Sequence, residues 1–476
     1  MSRRLILALL AVSPLLPALP SLAADRPPNV VLILIDDMGW TDLGCQGSWF
    51  YETPQIDRLA ASGMRLTHGY SACTVCSPTR AGVMTGKYPA RLHVTDWIEG
   101  HKRPFAKLSV PDWTMHLPHE ETTIAEVFRD AGYATAHVGK WHLGHEEHWP
   151  KTHGFDVNVG GNHRGQPPSY FFPYETAAIK LPGLAEGKDG EYLTDRLTDE
   201  AIAFIRASKD KPFFLYLPHY TVHTPLQAKP QLVAKYREKA ERMPQSAQKN
   251  AGYAAMIESL DEGVGRLLSV LDELELRERT IVVFTSDNGG LASSTSNAPL
   301  RAGKGSAYEG GVRVPLLVSY PPAIAAGSTC DVPAMSIDLL PTLVELCGIE
   351  PKEKLACDGI SLAAALNETG QVSREALYWH YPHYHPGGAT PYGAVRAGDH
   401  RLVEFYEDNR VELYHLASDV GEQHDLAASQ PAKHDELLAM LHQWRKEVAA
   451  QMPTPNPDHD AAKDAARPAG KKKKAK

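Results

Sequence analysis

Two short runs of oxygen-bearing side chains each follow an apolar segment of the sequence. Asp36 and Asp37 come directly after one such segment, and Asp287 and Asn288 lie just after another. If both segments are strands of one parallel sheet, their ends meet at the edge where open α/β sheets hold ligands. Three carboxylates and an amide oxygen would repel one another there without a hard cation, and oxygen ligands suit Ca²⁺ better than Zn²⁺. Together the runs predict a calcium site, although an Asp at either place could instead cap a following helix.

A cysteine with distinctive neighbours lies in segment 73–86, which reads CTVCSPTRAGVMTG. The spacing follows the pattern Cys-x-Pro-x-Arg with Thr-Gly a few residues on. The matching positions are Cys76, Pro78, Arg80, Thr85 and Gly86. The segment therefore resembles the maturation signature of the formylglycine-dependent type I sulfatases, in the alkaline phosphatase-like superfamily. A free Cys is otherwise most often an inert buried hydrophobe, but we expect the polar neighbours to keep Cys76 out of the core.

The resemblance continues in order along the chain, from about residue 29 to residue 426, and implies an enzyme that hydrolyses a sulfate ester. The elements similar to family motifs are Gly139-Lys140-Trp141-His142-Leu143-Gly144, segment 220–225 around His223, Gly303-Lys304-Gly305 with Glu309-Gly310-Gly311, and segment 412–426. In the last of these, His415 stands where the family usually has Asp, and nothing catalytic depends on that position.

The resemblance also implies how these residues work. A formylglycine-generating maturation enzyme would oxidise Cys76 to an aldehyde, and the aldehyde hydrate would attack sulfur with the help of one Ca²⁺. The implied calcium ligands are Asp36, Asp37, residue 76, Asp287 and Asn288. The other implied roles are Lys140 and Lys304 holding sulfate oxygens, Arg80 steadying the hydrate, His223 with Lys304 protonating the leaving alcohol, and His142 taking the proton of the second hydroxyl. Cations are needed because an anion attacks a group that is itself negative. This is nucleophilic and acid–base catalysis assembled on a metal.

Three alternative functions stay open. A phosphatase or phosphodiesterase of the same superfamily typically uses Ser or Thr with two zinc ions, and Cys76 within its signature argues against it. A secreted calcium-binding protein without catalysis is disfavoured because the basic residues of the motifs are intact. A generic arylsulfatase differs from a carbohydrate sulfatase only in its substrate.

A zinc site is a further alternative for three closely spaced histidines. His142, His145 and His148 could share one face of a helix, with Glu146 and Glu147 among them. However, Gly144 weakens a helix at this place, and the motif HExxH does not occur. The sulfatase resemblance accounts for His142, so we expect His145 and His148 to be solvated at the surface.

Several segments rich in aromatic, His and Arg residues are candidate walls of a substrate pocket. They are Trp97, His101, Lys102 and Arg103, segment 160–174, and segment 378–385. Such side chains suit a sugar ring and neighbouring anions, although core packing explains some of the aromatic residues equally well. Segment 160–174 resembles that of polysaccharide sulfatases acting on galactose or N-acetylgalactosamine sulfates. We therefore expect a sulfated carbohydrate as substrate, small or polymeric, with His163 and His383 as candidate contacts.

The elements that position these residues follow from the apolar pattern. Apolar runs rich in β-branched residues predict strands buried on both faces, at 29–35, 133–138, 213–217, 281–284 and 312–320. A long amphipathic helix is predicted across 253–274. This alternation predicts an α/β fold with a large mixed, mostly parallel sheet between helices, and the resemblance implies the alkaline phosphatase-like version of it.

The pattern changes after about residue 374. Short strand-like pieces at 394–395, 401–406 and 411–416 precede a helical pattern across 437–448. A small antiparallel sheet with one helix accounts for them. We therefore predict a catalytic domain over 25–373, a C-terminal α+β subdomain over 374–452 and a disordered, Lys/Ala-rich tail over 453–476.

The first 24 residues predict export. Arg3 and Arg4 precede an apolar run at 5–19 and the small-residue stretch 21–24, as in a secretory signal peptide. The run is too short and too rich in Pro for a membrane anchor, so we expect a secreted or periplasmic protein without stable membrane insertion. The net charge of −8 gives no footprint for nucleic acid. Six cysteines are too few for a disulfide scaffold. For the pair Cys347 and Cys357, two free thiols are favoured over a bridge.

Overall fold

The computed structural model describes residues 26–176, 179–368 and 370–465. The predicted signal peptide and the end of the predicted tail, residues 466–476, lie outside this part of the chain. The strands are β1 Asn29–Ile35, β2 Met64–Leu66, β3 Gly69–Tyr70, β4 Leu108–Ser109, β5 Ala134–Val138, β6 Val157–Val159, β7 Phe213–Pro218, β8 Thr280–Ser286, β9 Leu316–Ser319, β10 Ser328–Cys330, β11 Ala334–Met335, β12 Leu377–Tyr381, β13 Tyr392–Ala397, β14 His400–Phe405, β15 Arg410–His415 and β16 Thr454–Pro455.

The helices are α1 Pro54–Ala61, α2 Cys76–Thr85, α3 Pro89–Leu92, α4 Ile124–Asp130, α5 Leu193–Ser208, α6 Pro230–Arg242, α7 Ala251–Glu273, α8 Glu309–Val312, α9 Leu339–Leu346, α10 Ala363–Leu366, α11 Pro431–Glu447 and α12 Ala461–Ala465. Short 3₁₀ turns occur at Gly44–Gln46, Glu146–His148, Pro150–His153, Arg277–Arg279 and Ser336–Asp338. Within the described ranges, no helix is long and apolar enough to cross a membrane.

An eight-stranded sheet forms the centre of the molecule, in the order β10-β2-β9-β8-β1-β7-β5-β6. The central strand β1 pairs in parallel with both β7 and β8, whereas β9 runs antiparallel to β8 and to β2. Every residue of β1, β7 and β8 is buried, as their continuous apolar runs predict. The predicted mixed, mostly parallel sheet is confirmed.

Helices cover both faces of this sheet because successive residues of a strand point to opposite sides. Val31, Ile33 and Ile35 of β1 pack in one core with α1, α5 and α7. Val30, Leu32 and Leu34 pack in a second core with α2, α4 and α9. The long predicted helix is α7, and the side chain of Asn250 caps its first turn.

A second, four-stranded antiparallel sheet, β12-β13-β14-β15, follows with α11 packed on it. Two strands, β9 and β12, differ from the prediction. The predicted strand at 312–320 is shorter in the structure, where β9 spans Leu316–Ser319 and Val312 is the last residue of the short helix α8. Strand β12, within the segment expected to be a pocket wall, was not predicted as a strand.

The prediction of a disordered tail from residue 453 was wrong for its described part, residues 453–465. Strand β16 pairs antiparallel with β4, and the carboxylate of Asp464 binds the guanidinium of Arg103. The amide of Asn456 donates to the carbonyl of Ala106 at 2.7 Å. A composition poor in apolar residues did not reveal these backbone and charge contacts, which depend on a distant segment of the chain. All six cysteines are free thiols.

Candidate active site

The ends of β1 and β8 bring the predicted acidic cluster together. The parallel register sets Ile35 opposite Ser286, so the residues that follow each strand emerge side by side. Asp36, Asp37, Asp287 and Asn288 are at most 2% exposed, and the backbone N–H of Asp37 donates to Asp287 Oδ1 at 3.2 Å. Three carboxylates at such a depth need positive charge close by.

Arg80 and Lys140 supply part of that charge. Arg80, from the second turn of α2, places Nε 2.9 Å from Asp287 Oδ2, and Lys140 places Nζ 2.7 Å from Asp36 Oδ2. Burial alone would raise the pKa of Asp287, but Arg80 and Lys140 hold it below its usual value. Burial raises the pKa of Asp36 despite the opposing charge of Lys140. The carboxylates therefore differ in basicity.

Lys304 and His223 lie against Asp37. Lys304 Nζ is 2.6 Å from Asp37 Oδ1, and His223 Nε2 is 3.8 Å from Asp37 Oδ2. Burial would raise the pKa of Asp37, yet Lys304 and His223 outweigh it and hold the pKa below its usual value. Burial lowers the pKa of His223 to about 3, against the opposing effect of Asp37. The Nδ1–H of His223 donates to the carbonyl of Thr224 at 2.7 Å, which leaves the Nε2 lone pair on the side of Asp37.

Cys76 is the first residue of α2, and its Sγ lies 3.3 Å from Nδ1 of His142. The Nε2–H of His142 donates to the carbonyl of Ile98, so Nδ1 carries the lone pair that faces residue 76. His142 adopts a φ of 60°, in the left-handed region that residues with a Cβ rarely occupy. Burial and the charge of Lys140 hold the pKa of His142 well below its ordinary value. A neutral base therefore faces position 76.

The expectation that polar neighbours keep Cys76 out of the core was wrong. Every residue of α2 is buried, and Cys76 is 3% exposed. The polar side chains of the helix find partners inside the protein instead. The hydroxyl of Ser77, for example, donates to the carbonyl of His142 at 2.9 Å.

The cluster fits a hard dication. Among the described residues, the buried oxygens Asp36 Oδ1 and Asn288 Oδ1 have no hydrogen-bond partner, and unpaired buried acceptors of this kind indicate a missing ligand. Asp36, Asp37 and His223 each offer one atom within 4.8 Å of the others. The carboxylate and amide oxygens match the preference of Ca²⁺.

The side of the site with most access to solvent is that of His223 and Lys304. Their side chains are 16% and 10% exposed, whereas those of Arg80, Lys140 and Asp36 are at most 1% exposed. A ligand with one anionic group in the buried cluster would therefore extend outward past His223 and Lys304.

Trp97, His101 and His385 lie together beside the loop that carries Lys304, and His385 is 9% exposed. Trp97 stacks on His101 with ring centroids 6.2 Å apart and meets His385 edge-on at 5.4 Å. His385 packs on the loop that carries Lys304, since a Cβ on Gly305 would lie 2.2 Å from its Nδ1. His385 belongs to the predicted pocket segment 378–385 but is not one of the two predicted substrate contacts.

His383, a predicted substrate contact, is not in this group. It is 1% exposed, its Nε2 lies 2.8 Å from the hydroxyl of Thr95, and it packs edge-on against Trp113. His163 is partly exposed and stacks on His145 with centroids 4.6 Å apart. Of the two predicted contacts, His163 alone presents surface that a substrate can touch.

Other predicted wall residues serve packing. Arg103 is held by Asp464 and lies over the ring of Tyr384, and Tyr378 stacks on Trp444. Tyr170, in segment 160–174, is buried and donates its hydroxyl to the carbonyl of His223 at 2.8 Å.

His148 was expected to be solvated at the surface, but it is only partly exposed. Its ring lies between those of His116 and His119, with centroid distances of 3.9 and 4.6 Å.

Comparison with known proteins covers nearly the whole described chain. The family model described as Sulfatase matches residues 28–349, and the one described as N-sulphoglucosamine sulphohydrolase, C-terminal, matches residues 303–451. A sulfatase of Formosa agariphila is 34% identical over 511 residues, which cover 92% of this chain and 91% of that protein.

Two further relatives have more specific names. The N-acetylgalactosamine-6-sulfatase of Mus musculus is 34% identical over 385 residues, covering 75% of this chain and 69% of that protein. The crystal structure of Ps i-CgsB in complex with k-i-k-neocarrahexaose superposes with a TM-score of 0.76 at 30% identity, covering 93% of this chain and 98% of that one.

Proposed function

Because this chain belongs to the sulfatase family, and is thus a sulfuric ester hydrolase, we propose that it removes sulfate from a carbohydrate with a formylglycine made from Cys76. The observation that carries this proposal is the position of Cys76. Its Sγ lies 3.3 Å from a neutral His142 nitrogen, at the start of the same helix whose Arg80 binds the acidic cluster. This position sets residue 76 between a base that can accept a proton and cations that can bind an anionic group.

We assign one Ca²⁺ to Asp36, Asp37, Asp287, Asn288 and an oxygen of residue 76. The unpaired buried oxygens of Asp36 and Asn288 support this assignment. When bound, the ion would supply fixed positive charge against both the sulfate group and the attacking oxygen.

In the proposed reaction, one hydroxyl of hydrated formylglycine attacks sulfur while its proton passes to a carboxylate of the cluster. The bond from sulfur to the sugar oxygen breaks at the same time, and Lys140 and Lys304 bind the sulfate oxygens. The leaving oxygen takes a proton from His223 or from Lys304, the two residues on the solvent side. Although burial lowers the pKa of His223 to about 3, a bound sulfate opposes this shift because an adjacent anion favours the imidazolium.

The second half of the reaction regenerates the aldehyde. Nδ1 of His142 takes the proton of the second hydroxyl, and that oxygen forms the C=O bond. The bond between Cβ of residue 76 and the oxygen that carries sulfur breaks, so sulfate leaves with that oxygen. Water then rehydrates the aldehyde. An aldehyde hydrate makes this possible because its second hydroxyl provides the electron pair that expels sulfate.

The substrate we propose is a sulfated galactose or N-acetylgalactosamine unit. Two relatives support this class, one named for N-acetylgalactosamine 6-sulfate and one bound to a neocarrahexaose. Trp97, His101 and His385 support it as well, because aromatic and imidazole rings stack on sugar faces and bind their hydroxyls. We also propose that residues 1–24 direct export, so that the mature enzyme meets extracellular or periplasmic carbohydrate.

Mass spectrometry of the peptide that contains Cys76 tests the proposal. Protein produced together with a formylglycine-generating enzyme should carry an aldehyde at position 76 and hydrolyse sulfate esters. The matched control is Cys73→Ser, a nearby cysteine outside the signature, which should still be modified at position 76. Active protein with an unmodified thiol at position 76 would contradict the mechanism.

A further inference from the structure

Four histidines form a continuous stack beside the loop that carries Lys140 and His142. The rings follow the order His116, His148, His119 and His153, with successive centroid distances of 3.9, 4.6 and 4.7 Å. They come from three separate segments of chain, namely the loop before α4 and the 3₁₀ turns Glu146–His148 and Pro150–His153. None of the four belongs to the sulfatase motifs or to the proposed mechanism.

Three of these histidines offer ring nitrogens that converge. His119, His148 and His153 each provide one nitrogen, and the three atoms lie within 4.8 Å of one another. His153 is 1% exposed, and neither its Nε2 nor Nδ1 of His148 has a hydrogen-bond partner among the residues that the structure describes. Buried ring nitrogens without a partner are uncommon in folded proteins, and two that converge are consistent with a bound ligand.

The orientation of His119 is also that of a metal ligand. Its Nε2–H donates to the backbone carbonyl of Glu147 at 3.0 Å, which leaves Nδ1 with a lone pair. Metal-binding histidines characteristically donate their second nitrogen to a carbonyl or carboxylate in this way. Burial lowers the pKa of His153 to about 3, so the ring of His153 is neutral at pH 7.

We propose that His119, His148 and His153 bind one Zn²⁺, with a water as the fourth ligand. Imidazole nitrogen suits Zn²⁺, and three histidines with one open position are a common zinc ligand set. Two nitrogens on a tetrahedral Zn²⁺ lie about 3.4 Å apart, so the rings close on the ion by rotations that move their nitrogens by less than about 2 Å.

The site would brace the loop beside it. The indole N–H of Trp141 donates to the carbonyl of His148 at 2.7 Å, and the N–H of Leu117 donates to the carbonyl of Leu143 at 3.0 Å. Gly144 has a φ of 119°, and a Cβ there would lie 2.7 and 2.8 Å from the Cβ atoms of His116 and His148. Bound Zn²⁺ would therefore hold the loop around Gly144 in place, and this loop directly follows Lys140 and His142 in the sequence. Zinc binding itself does not rest on the proposed function.

Zinc binding can be measured directly on protein that carries no polyhistidine tag, with excess Ca²⁺ present to occupy the acidic cluster. Equilibrium dialysis with elemental analysis should find one Zn²⁺ per chain, and Zn²⁺ should raise the Tm because it binds the folded state. His119→Ala should weaken binding at least tenfold and abolish the shift in Tm. This variant should fold because His119 is exposed.

His145→Ala is the matched control, since His145 is close in sequence but stacks on His163 outside the cluster. It should bind Zn²⁺ as the parent protein does. The proposal is wrong if the parent binds no Zn²⁺ at equimolar, micromolar concentrations, or if His119→Ala binds as tightly as the parent. These outcomes are independent of the modification at Cys76, so they also separate this proposal from the proposed function.

Discussion

His142 is fixed so that one ring nitrogen can accept a proton and the other cannot. The carbonyl of Ile98 holds the Nε2–H, and Nδ1 faces residue 76. In the proposed reaction this base acts only in the second half. His142→Ala should therefore release about one equivalent of alcohol per active site in a rapid burst and then turn over at least 10²-fold more slowly, the usual cost of a lost general base. Rapid-quench kinetics would show this.

The matched variant is His223→Ala, which loses a proton donor of the first half. It should show slow alcohol release without a burst. A burst in His223→Ala and none in His142→Ala would reverse the two assignments.

Asp287 links the proposed metal to a protein cation. Its Oδ2 binds Arg80, and its Oδ1 accepts from the backbone of Asp37. Asp287→Asn keeps the shape but removes the charge, so we expect a weaker affinity for Ca²⁺ and activity that recovers partly at high Ca²⁺ concentration. Titration of activity with Ca²⁺ after chelation tests this, with Asp42→Asn as a buried control outside the cluster. Full Ca²⁺ affinity together with lost activity would mean that Asp287 is not a ligand.

His385 offers the sharpest test of the substrate class. It lies beside the Lys304 loop, so His385→Ala should lower kcat/KM for a sulfated galactoside by about tenfold or more while nearly sparing a synthetic aryl sulfate. An imidazole that hydrogen-bonds a sugar hydroxyl finds no such partner in the aryl sulfate, so its removal affects only the sugar substrate. His163→Ala should act in the same direction, and buried His383 should discriminate less between the two substrates. Equal losses on both substrates would place His385 in sulfate chemistry or folding.

At the scale of elements, a buried ion network joins the small sheet to the segment that follows Lys304. Arg401 of β14 binds Glu309 Oε1 at 2.8 Å and lies 3.5 Å from Glu422 Oε1, and both Arg401 and Glu309 are fully buried. Arg401→Ala removes the cation that pairs with Glu309 Oε1 and lies near Glu422 Oε1. It should lower the free energy of unfolding by about 3–5 kcal/mol. Denaturant unfolding measures this.

The exposed pair of Arg206 and Glu273 provides the comparison. Arg206→Ala should change the free energy of unfolding much less than Arg401→Ala does, because solvent screens an exposed pair. Similar values for the two variants would show that the buried network does not tie the small sheet to the segment that follows Lys304.

The sequence predicted best the elements whose pattern is set by the core. The runs of β1, β7 and β8 are apolar because both faces are covered, and their parallel pairing then fixed where Asp36 and Asp287 meet. The order of residues 453–465 could not be predicted, since it depends on pairing with a segment far along the chain. Strand β12 pairs with the next strand, β13, and was missed because its aromatic and His residues also suit a pocket wall. Residues of a strand point alternately to its two faces, but β12 ends at Tyr381. The different environments of His383 and His385 therefore depend on the loop after β12 and could not be predicted from alternation.

Several histidines across the molecule are buried with a neutral imidazole ring. Burial lowers the pKa of His137, His219 and His383 to about 3 and that of His380 to about 4. In the unfolded chain these rings take up protons below about pH 6.5, whereas the folded protein excludes them until pH 3–4. The free energy of unfolding should therefore fall as pH decreases from about 6.5 toward about 4.

Urea unfolding at a series of pH values checks this expectation. His383→Gln should show a shallower dependence, by about one proton, whatever its absolute stability. A free energy of unfolding that does not change across this window would contradict the burial of neutral imidazoles.

The depth of Cys76 constrains when the proposed modification can happen. The whole of α2 lies inside the folded protein, so another enzyme cannot close around this segment once the chain has folded. Oxidation must then be complete in the interval between synthesis and folding, while the segment is still extended. The active fraction of a preparation consequently depends on the rate of oxidation at position 76 relative to the rate of folding. A cell that folds this chain faster than it oxidises it accumulates well-folded protein that no later treatment with the maturation enzyme can rescue.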